Sequence, residues 1–503
     1  MALVSLLLIE QILLLAGLLI VVKYLYRVTL DPLARFPGPK LAALTSLYAM
    51  SYDLSGHDPL VKHLKTLHDK YGPIVRVRSN ELHIFDWKAY YTVFKQGSDF
   101  DRLTEFYNSP QFDGSFLNIP NARVAKPHRD LFVQAFSKAA INNLEPLIHE
   151  KQVIFLAKLN EAATKDRSVG LDLAFNCLTG ETVIHYCYQM SLGLLDEPNF
   201  RPRLVVDIHG FAPFVAFFWY FPVIGGMLNN LIFSLPDGII DKFFPAAMSI
   251  KAVEDQCASL INSLSKAPPD SEEVQSSIFR QALNPNKEKG QYVALQKELT
   301  ADAILMLLAG TDTTAHALTF GVWAMIKQPR MWTKLREEIS TVLNDTQTLS
   351  SLKSLETLPY LRAVVKESLR VSLGTSARLA RVVPSAGVTL CGRRIPANTH
   401  ISFSHYVYNY DPSIFEDPHT FNPDRWLGPD VATLDSHMIS FSRGSRSCIG
   451  VNLAYAELYT TFAHLVRRFD LVNDGTTDED MDWIDTFVPS FKGRLRVKLL
   501  AVE

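Results

Sequence analysis

A mainly α-helical fold with small β-sheets is what this sequence predicts, and three observations carry the prediction. Long stretches place apolar residues at helical spacing, among them Ile141 to Ala163 and Gln296 to Gln328. Strand-like alternation is short and scattered: Ile74 to Asp86 around a Ser79-Asn80 turn, Gly387 to Ile395, and Leu495 to Leu500. The regular alternation of strand and helix that marks a dinucleotide fold is missing, and no internal repeat is visible.

Taken in order, the chain opens on an apolar run. From Met1 to Val22 the polar side chains are Ser5, Glu10 and Gln11, and Lys23, Arg27, Arg35 and Lys40 follow. About 20 apolar residues span a bilayer as a helix. The basic residues all lie after the run, which orients the rest of the chain toward the cytoplasm. A helix lying in the membrane interface is the alternative, because Glu10 and Gln11 interrupt the run. Residues 1–22 are therefore expected to be a single transmembrane anchor and residues 23–40 a basic, proline-rich hinge ending in Phe36-Pro37-Gly38-Pro39-Lys40. Residues 41–503 are the globular domain. Within it, Phe211 to Leu235 is strongly apolar but carries Pro213, Pro222, Gly225 and Gly226, so it reads as helix, loop and helix, either buried or dipping into the bilayer surface. Ser265 to Gly290 is a polar surface connection. The helix from Gln296 carries Asp312 as its one charge between Ala303 and Ala324, so it must be buried on most sides.

Composition excludes several classes. The net charge is -2, which gives no general attraction to nucleic acid. The five cysteines are widely spaced and form no C-x-x-C pair, as expected of buried thiols in a reducing compartment. There is no H-E-x-x-H, no G-x-S-x-G elbow and no P-loop. Any redox chemistry must draw its electrons from a separate protein.

One segment carries a strong signal: Phe441-Ser442-Arg443-Gly444-Ser445-Arg446-Ser447-Cys448-Ile449-Gly450. It fits F-x-x-G-x-R-x-C-x-G at every fixed position, a chance match of about one in ten thousand from background residue usage. A cysteine thiolate can hold haem iron and push electron density onto bound oxygen. Gly444 and Gly450 allow tight turns that aim amide N–H groups at the sulfur. Arg446 is placed to meet a haem propionate.

The segment resembles the haem-binding loop of cytochromes P-450, and the resemblance extends over nearly all of the chain after the first 40 residues. Glu367-Ser368-Leu369-Arg370 resembles the family's E-x-x-R, and Phe421 to Trp426 its P-E-R-F segment, with Asp424 and Trp426 in place of Glu and Phe. This implies a buried structural cluster of Glu367, Arg370 and Arg425. Ala309-Gly310-Thr311-Asp312-Thr313-Thr314 resembles the family's A-G-x-D-T-T. That implies a local opening of the central helix at Ala309 and Gly310 above the iron, with Asp312 and Thr313 relaying protons. Arg129 stands where the family's W-x-x-x-R arginine stands, although Ala125 replaces the tryptophan and His128 is an alternative donor. In Ala377-Arg378-Leu379-Ala380-Arg381, Arg378 takes the place of a further propionate partner.

The resemblance thus implies the cytochrome P-450 fold and haem b on Cys448. It implies insertion of one oxygen atom from O2 into a lipophilic molecule, with a fungal terpenoid, polyketide or alkaloid intermediate expected from likeness to the trichodiene-oxygenase-like group. NADPH-cytochrome P-450 reductase is the implied electron donor, with cytochrome b5 as a second, at the endoplasmic reticulum membrane. Arg123, Lys126, Arg129 and Arg443 are expected at the docking face. Substrate walls are expected from Phe100–Pro120, Phe211–Phe221, the central helix near Ala309, Leu373–Ser376 and Phe487–Val488. A haem-thiolate isomerase or dehydratase and a non-enzymatic haem sensor are the alternatives; neither needs the Asp312–Thr313 pair.

Overall fold

The computed structural model describes residues 2–55, 58–107, 112–286, 288, 290–343 and 349–502, apart from the side chains of residues 2–9, 12–13, 16, 212 and 272–273. Nine helices are labelled here: α1 (Ala2–Thr29), α2 (Ala122–Val133), α3 (Leu171–Tyr188), α4 (Arg203–Phe211), α5 (Val215–Tyr220), α6 (Pro222–Phe233), α7 (Gln296–Lys327), α8 (Pro359–Ser372) and α9 (Val451–Arg468). Helix α7 is the axis of the fold. Its residues from Ala303 to Leu307 and Thr314 to Thr319 are buried, and α3, α8 and α9 pack around it. Gly180 and Gly310 set the spacing of α3 and α7. A Cβ on Gly310 would stand 2.8 Å from the Val183 side chain, and one on Gly180 would meet Leu194 at 2.9 Å. Helix α7 runs without interruption through Gly310. The expected opening of its backbone is therefore absent among the described residues. Glycine at 310 serves close helix packing, and Thr311 and Thr313 return their hydroxyls to the carbonyls of Leu307 and Ala309.

A five-stranded sheet forms the second layer, from β1 (Ile74–Arg78), β2 (Glu81–Ile84), β3 (Asp101–Arg102), β4 (Arg381–Val382) and β5 (His400–Ser402). The strand order is β1-β2-β5-β4-β3, with β2 and β5 parallel and the other pairs antiparallel. The hairpin expected around Ser79-Asn80 is β1 and β2. At the far edge the register sets Arg102 opposite Arg381. A separate two-stranded ribbon, β6 (Trp483–Thr486) and β7 (Val488–Phe491), lies near α7. The expected strands near Gly387 to Ile395 and Leu495 to Leu500 are also present.

Three expectations are corrected. The helix expected over Ile141 to Ala163 is two helices, Lys138–Asn143 and Glu145–Thr164, divided at Leu144 before Pro146. In the Phe211 to Leu235 stretch the break falls at Phe221-Pro222, and both glycines sit inside α6, where Gly225 lets Phe218 pack closely. The hinge expected from residue 23 begins later, and its later part packs on the domain. Helix α1 continues to Thr29, Arg27 and Arg76 both pair with Asp31, and Leu33 and Phe36 are buried. A Cβ on Gly38 would lie 2.4 Å from the Arg76 carbonyl oxygen. Much of the anchor expected at 1–22 falls on side chains outside the described set. Those described from Leu14 to Val22 are more than half exposed where they are large and apolar. Among the described residues, the helix long and apolar enough to cross a membrane is α7, and it is a core helix.

Candidate active site: a thiol, four arginines and an acid–alcohol pair

A cavity of about 1170 Å³ lies between α7 and the loop that precedes α9. Cys448 forms part of its wall, exposed toward the cavity rather than toward bulk water. The loop reaches it through a tight backbone turn: the Cys448 N–H donates to the Phe441 carbonyl at 3.0 Å. Gly450 caps α9, so the sulfur stands at a helix N-terminus, where the dipole favours an anion. Burial pushes the Cys448 thiol up, while the Gly450 amide N–H and the Arg129 charge act against that rise. The other glycine does something different from what was expected. Gly444 has φ of +71° and sits against the carbonyls of Phe94 and Lys95, where a Cβ would lie within 2.6 Å of both oxygens. It lets the loop dock on the preceding helix end and sends no amide to the sulfur. Phe441 lines the cavity and packs against Tyr455.

Arg102, Arg129, Arg381 and Arg446 all line this cavity. Their donors go to neutral oxygens: Arg102 to Leu117 O, Arg129 to Ser447 O, Arg381 to Tyr107 Oη and Ala380 O, and Arg446 to Phe116, Pro120 and Asn121. Among the described residues no carboxylate forms an ion pair with any of them. The Nε atoms of Arg102 and Arg446 are buried without a partner. The consequence is visible in their acidity. Burial, then the charges of Arg381 and Arg129, bring Arg446 down to about 10. Burial pushes Arg102 well below its usual value, with Arg446, Arg381 and Arg129 adding to the shift. Guanidiniums this close, with two of them directly across a strand pair, repel one another. The cluster is stable only opposite an anion.

Arg378 is not part of that wall. It is buried against Glu81 Oε1 at 3.0 Å and Asp53 Oδ2 at 3.2 Å, so the expected propionate partner is a framework cation. Residues three apart in an extended segment face opposite ways. Arg381 therefore points where Arg378 was expected to. Alternation along Arg378 to Arg381 says that one of the two faces the cavity without saying which, and Arg102 carried no signal beyond being a lone arginine in an aromatic stretch. His128 is also accounted for: its Nε2 lies 2.7 Å from Asp302 Oδ2, fully buried.

The expected structural cluster is fully built. Arg370 donates to both Glu367 oxygens at 2.9 and 2.8 Å, and Arg425 Nε, Trp426 Nε1 and Asn422 N complete the carboxylate. Burial alone would raise the Glu367 carboxyl, but the Arg370 hydrogen bonds and the two guanidinium charges hold it below its usual value.

On the other side of the cavity, Ala309, Gly310, Asp312 and Thr313 present α7. Thr313 donates to Ala309 O at 2.9 Å and keeps its oxygen lone pairs free to accept. Asp312 faces His209 on α4, Nε2 to Oδ1 at 3.5 Å, a neighbour that residue spacing cannot assign. Phe106, Phe218, Trp219 and Phe487 add aromatic rings to the apolar wall, drawn from the stretches expected to supply it.

The comparisons with known proteins agree with this arrangement. The family model described as Cytochrome P-450 matches residues 37–489. The chain is 31% identical to the cytochrome P-450 monooxygenase aneF of Aspergillus aculeatus, over 97% of this chain and 99% of that one. It is 33% identical to aflU of Aspergillus parasiticus over 93% of each chain. It is 30% identical to TRI4 of Trichoderma arundinaceum over 94% of this chain and 93% of that one. The chain belongs to the cytochrome P-450 family, as a monooxygenase of fungal secondary metabolism with haem b on a cysteine thiolate.

Proposed function

We propose that this chain inserts one oxygen atom from O2 into an unactivated bond of a lipophilic terpenoid, polyketide or alkaloid intermediate, with the oxidised carbon held beneath Asp312 and Thr313. The observation that carries the reading is the pairing of Cys448 and the four-arginine wall with the acid–alcohol pair across one largely apolar cavity. The residues fit haem b. Cys448 would hold the iron through its thiolate, and Arg102, Arg129, Arg381 and Arg446 would supply the positive charge that two propionates neutralise. The haem supplies activation of O2. The chain does the rest. Gly450 N–H and the α9 N-terminus steady the thiolate, the aromatic wall excludes water from the apolar substrate, and Asp312 and Thr313 hold protons at the face of α7.

Electrons come from NADPH through a separate flavoprotein reductase, with cytochrome b5 as a second donor. Helix α2 supports a docking face: Arg129 turns inward to the cysteine loop, while Arg123 and Lys126 stand exposed on the outside, paired with Asp99 and Asp130. A membrane-bound state at the endoplasmic reticulum, with the domain facing the cytoplasm, is supported by the exposed apolar residues of α1. Val223, Ile224, Met227 and Leu231 on α6 add to that support.

The test is a reduced, CO-bound absorption spectrum. The wild type should give the thiolate-type band and Cys448→Ala should lose it; a Cys448→Ala protein that kept the band would overturn the ligand assignment. With an accepted substrate, Thr313→Ala should consume NADPH and O2 while releasing more peroxide and less product.

A further inference from the structure

The contact of His209 with Asp312 has a defined polarity. Behind the imidazole, Arg494 Nη1 lies 3.2 Å from His209 Nδ1 and bonds Asp172 Oδ2 at 2.9 Å. A guanidinium has no lone pair to offer, so it must donate and Nδ1 must accept. That places the ring proton of neutral His209 on Nε2, the atom facing Asp312. A second cavity of about 20 Å³ opens on the same contact, walled by His209, Asp312, Thr311, Leu194, Leu204 and Leu307. It is large enough for one water. Asp312 lines both this cavity and the large one, so its carboxylate bridges the two. The Arg494 side chain is 40% exposed, and with His209 and Asp172 it lines the large cavity.

We propose that His209 is the proton donor to Asp312, with Arg494 as its gate. His209 is a positioning residue that acts through Asp312, and the proposal rests on Asp312 being the acid of the site. When Arg494 Nη1 leaves the ring and keeps its bond to Asp172, Nδ1 takes a proton from a hydronium ion, which departs as water. The imidazolium then gives its Nε2 proton to Asp312 Oδ1. One N–H bond breaks and one O–H bond forms, and an ion pair becomes a neutral imidazole and a neutral carboxyl. Exchange with water returns the ring to its starting tautomer, and the return of Arg494 prevents a second uptake.

The experiment uses the full-length holoenzyme with NADPH and a flavoprotein reductase, and 7-ethoxycoumarin as the lipophilic probe. It reads peroxide released per NADPH consumed. Asp312→Asn and His209→Ala should each raise that ratio several-fold, and the double variant should be no worse than Asp312→Asn. His209→Gln still offers an amide N–H to Asp312 but cannot pass a proton. It should keep the coupling of melting temperature between positions 209 and 312, while its peroxide ratio stays as high as that of His209→Ala. A wild-type ratio in His209→Gln would reduce His209 to a holder of Asp312 and overturn the proposal. So would a wild-type ratio in His209→Ala alongside a raised one in Asp312→Asn. A wild-type ratio in Asp312→Asn would instead remove the acid itself.

Discussion

Two arginine-rich regions sit within this fold, and they are built on opposite principles. Around Glu367, the guanidiniums of Arg370 and Arg425 meet a carboxylate whose oxygens are fully bonded, and Arg370 spends its remaining donors on the carbonyls of Asn409 and Pro418. Arg378 is likewise matched, by Glu81 and Asp53. Along the cavity, Arg102, Arg129, Arg381 and Arg446 have carbonyls and a phenol for company, and burial lowers the pKa of three of them. A buried cation matched within the chain is framework. A buried cation left unmatched marks where a ligand's charge belongs.

The largest effect should come from breaking a matched cluster. Glu367→Ala leaves two guanidiniums buried beside an empty volume, and its cost should be about 3–5 kcal/mol. Thermal unfolding of the purified protein would show it, with low yield of folded material as the first sign. Arg378→Ala should act in the same way, stranding Glu81 and Asp53. If either variant melted like the wild type, the division between framework and ligand site would fail.

Breaking the unmatched wall should leave the fold and loosen the ligand. Arg381→Ala or Arg446→Ala removes one charge-assisted bond to a propionate, worth about 1.5–3 kcal/mol, so haem should escape to an excess of a scavenging apoprotein about tenfold faster or more. Arg378→Ala protein that still folds should release haem at the wild-type rate. Fast release from Arg378→Ala with slow release from Arg381→Ala would reverse the two assignments.

What the sequence made legible follows from which properties are local. The Cys448 loop, the E-x-x-R pair and the A-G-x-D-T-T run are each contiguous, so residue spacing identified them. Helix α7 was legible because a nearly uncharged stretch of such length must be buried. The choice between Arg378 and Arg381 was not, because it turns on which face of a short extended segment meets the cavity, and that phase is set by pairing with β3 and β5. Arg102 depends on the same pairing from a distant part of the chain. The packing role of Gly310 needed its neighbour Val183, and His209 needed α4 to be placed beside α7. In each case the missing information was a long-range contact.

The most gradual effect concerns the charge balance within the framework. Arg378 faces Glu81 and Asp53, and Asp485 on β6 lies close behind. Asp485 accepts from Ser376 Oγ at 2.7 Å and from Phe487 N at 3.1 Å, and its other oxygen is buried without a partner. Burial, and then the Asp53 charge, push its carboxyl up to about 7. The sign follows from proton binding. The folded state keeps a proton that the unfolded chain releases near pH 4, so this contribution is complete below about pH 4 and is lost as the pH rises to about 7. Stability should therefore fall by about 2–3 kcal/mol between pH 5 and pH 8 on account of this group. Asp485→Asn keeps the Ser376 and Phe487 bonds and carries no titrating proton, so its melting temperature should change less over that range. Equal slopes for the two proteins would mean that Asp485 is already ionised at pH 5, and that Arg378, with Arg78 on Glu81, is enough for all three carboxylates.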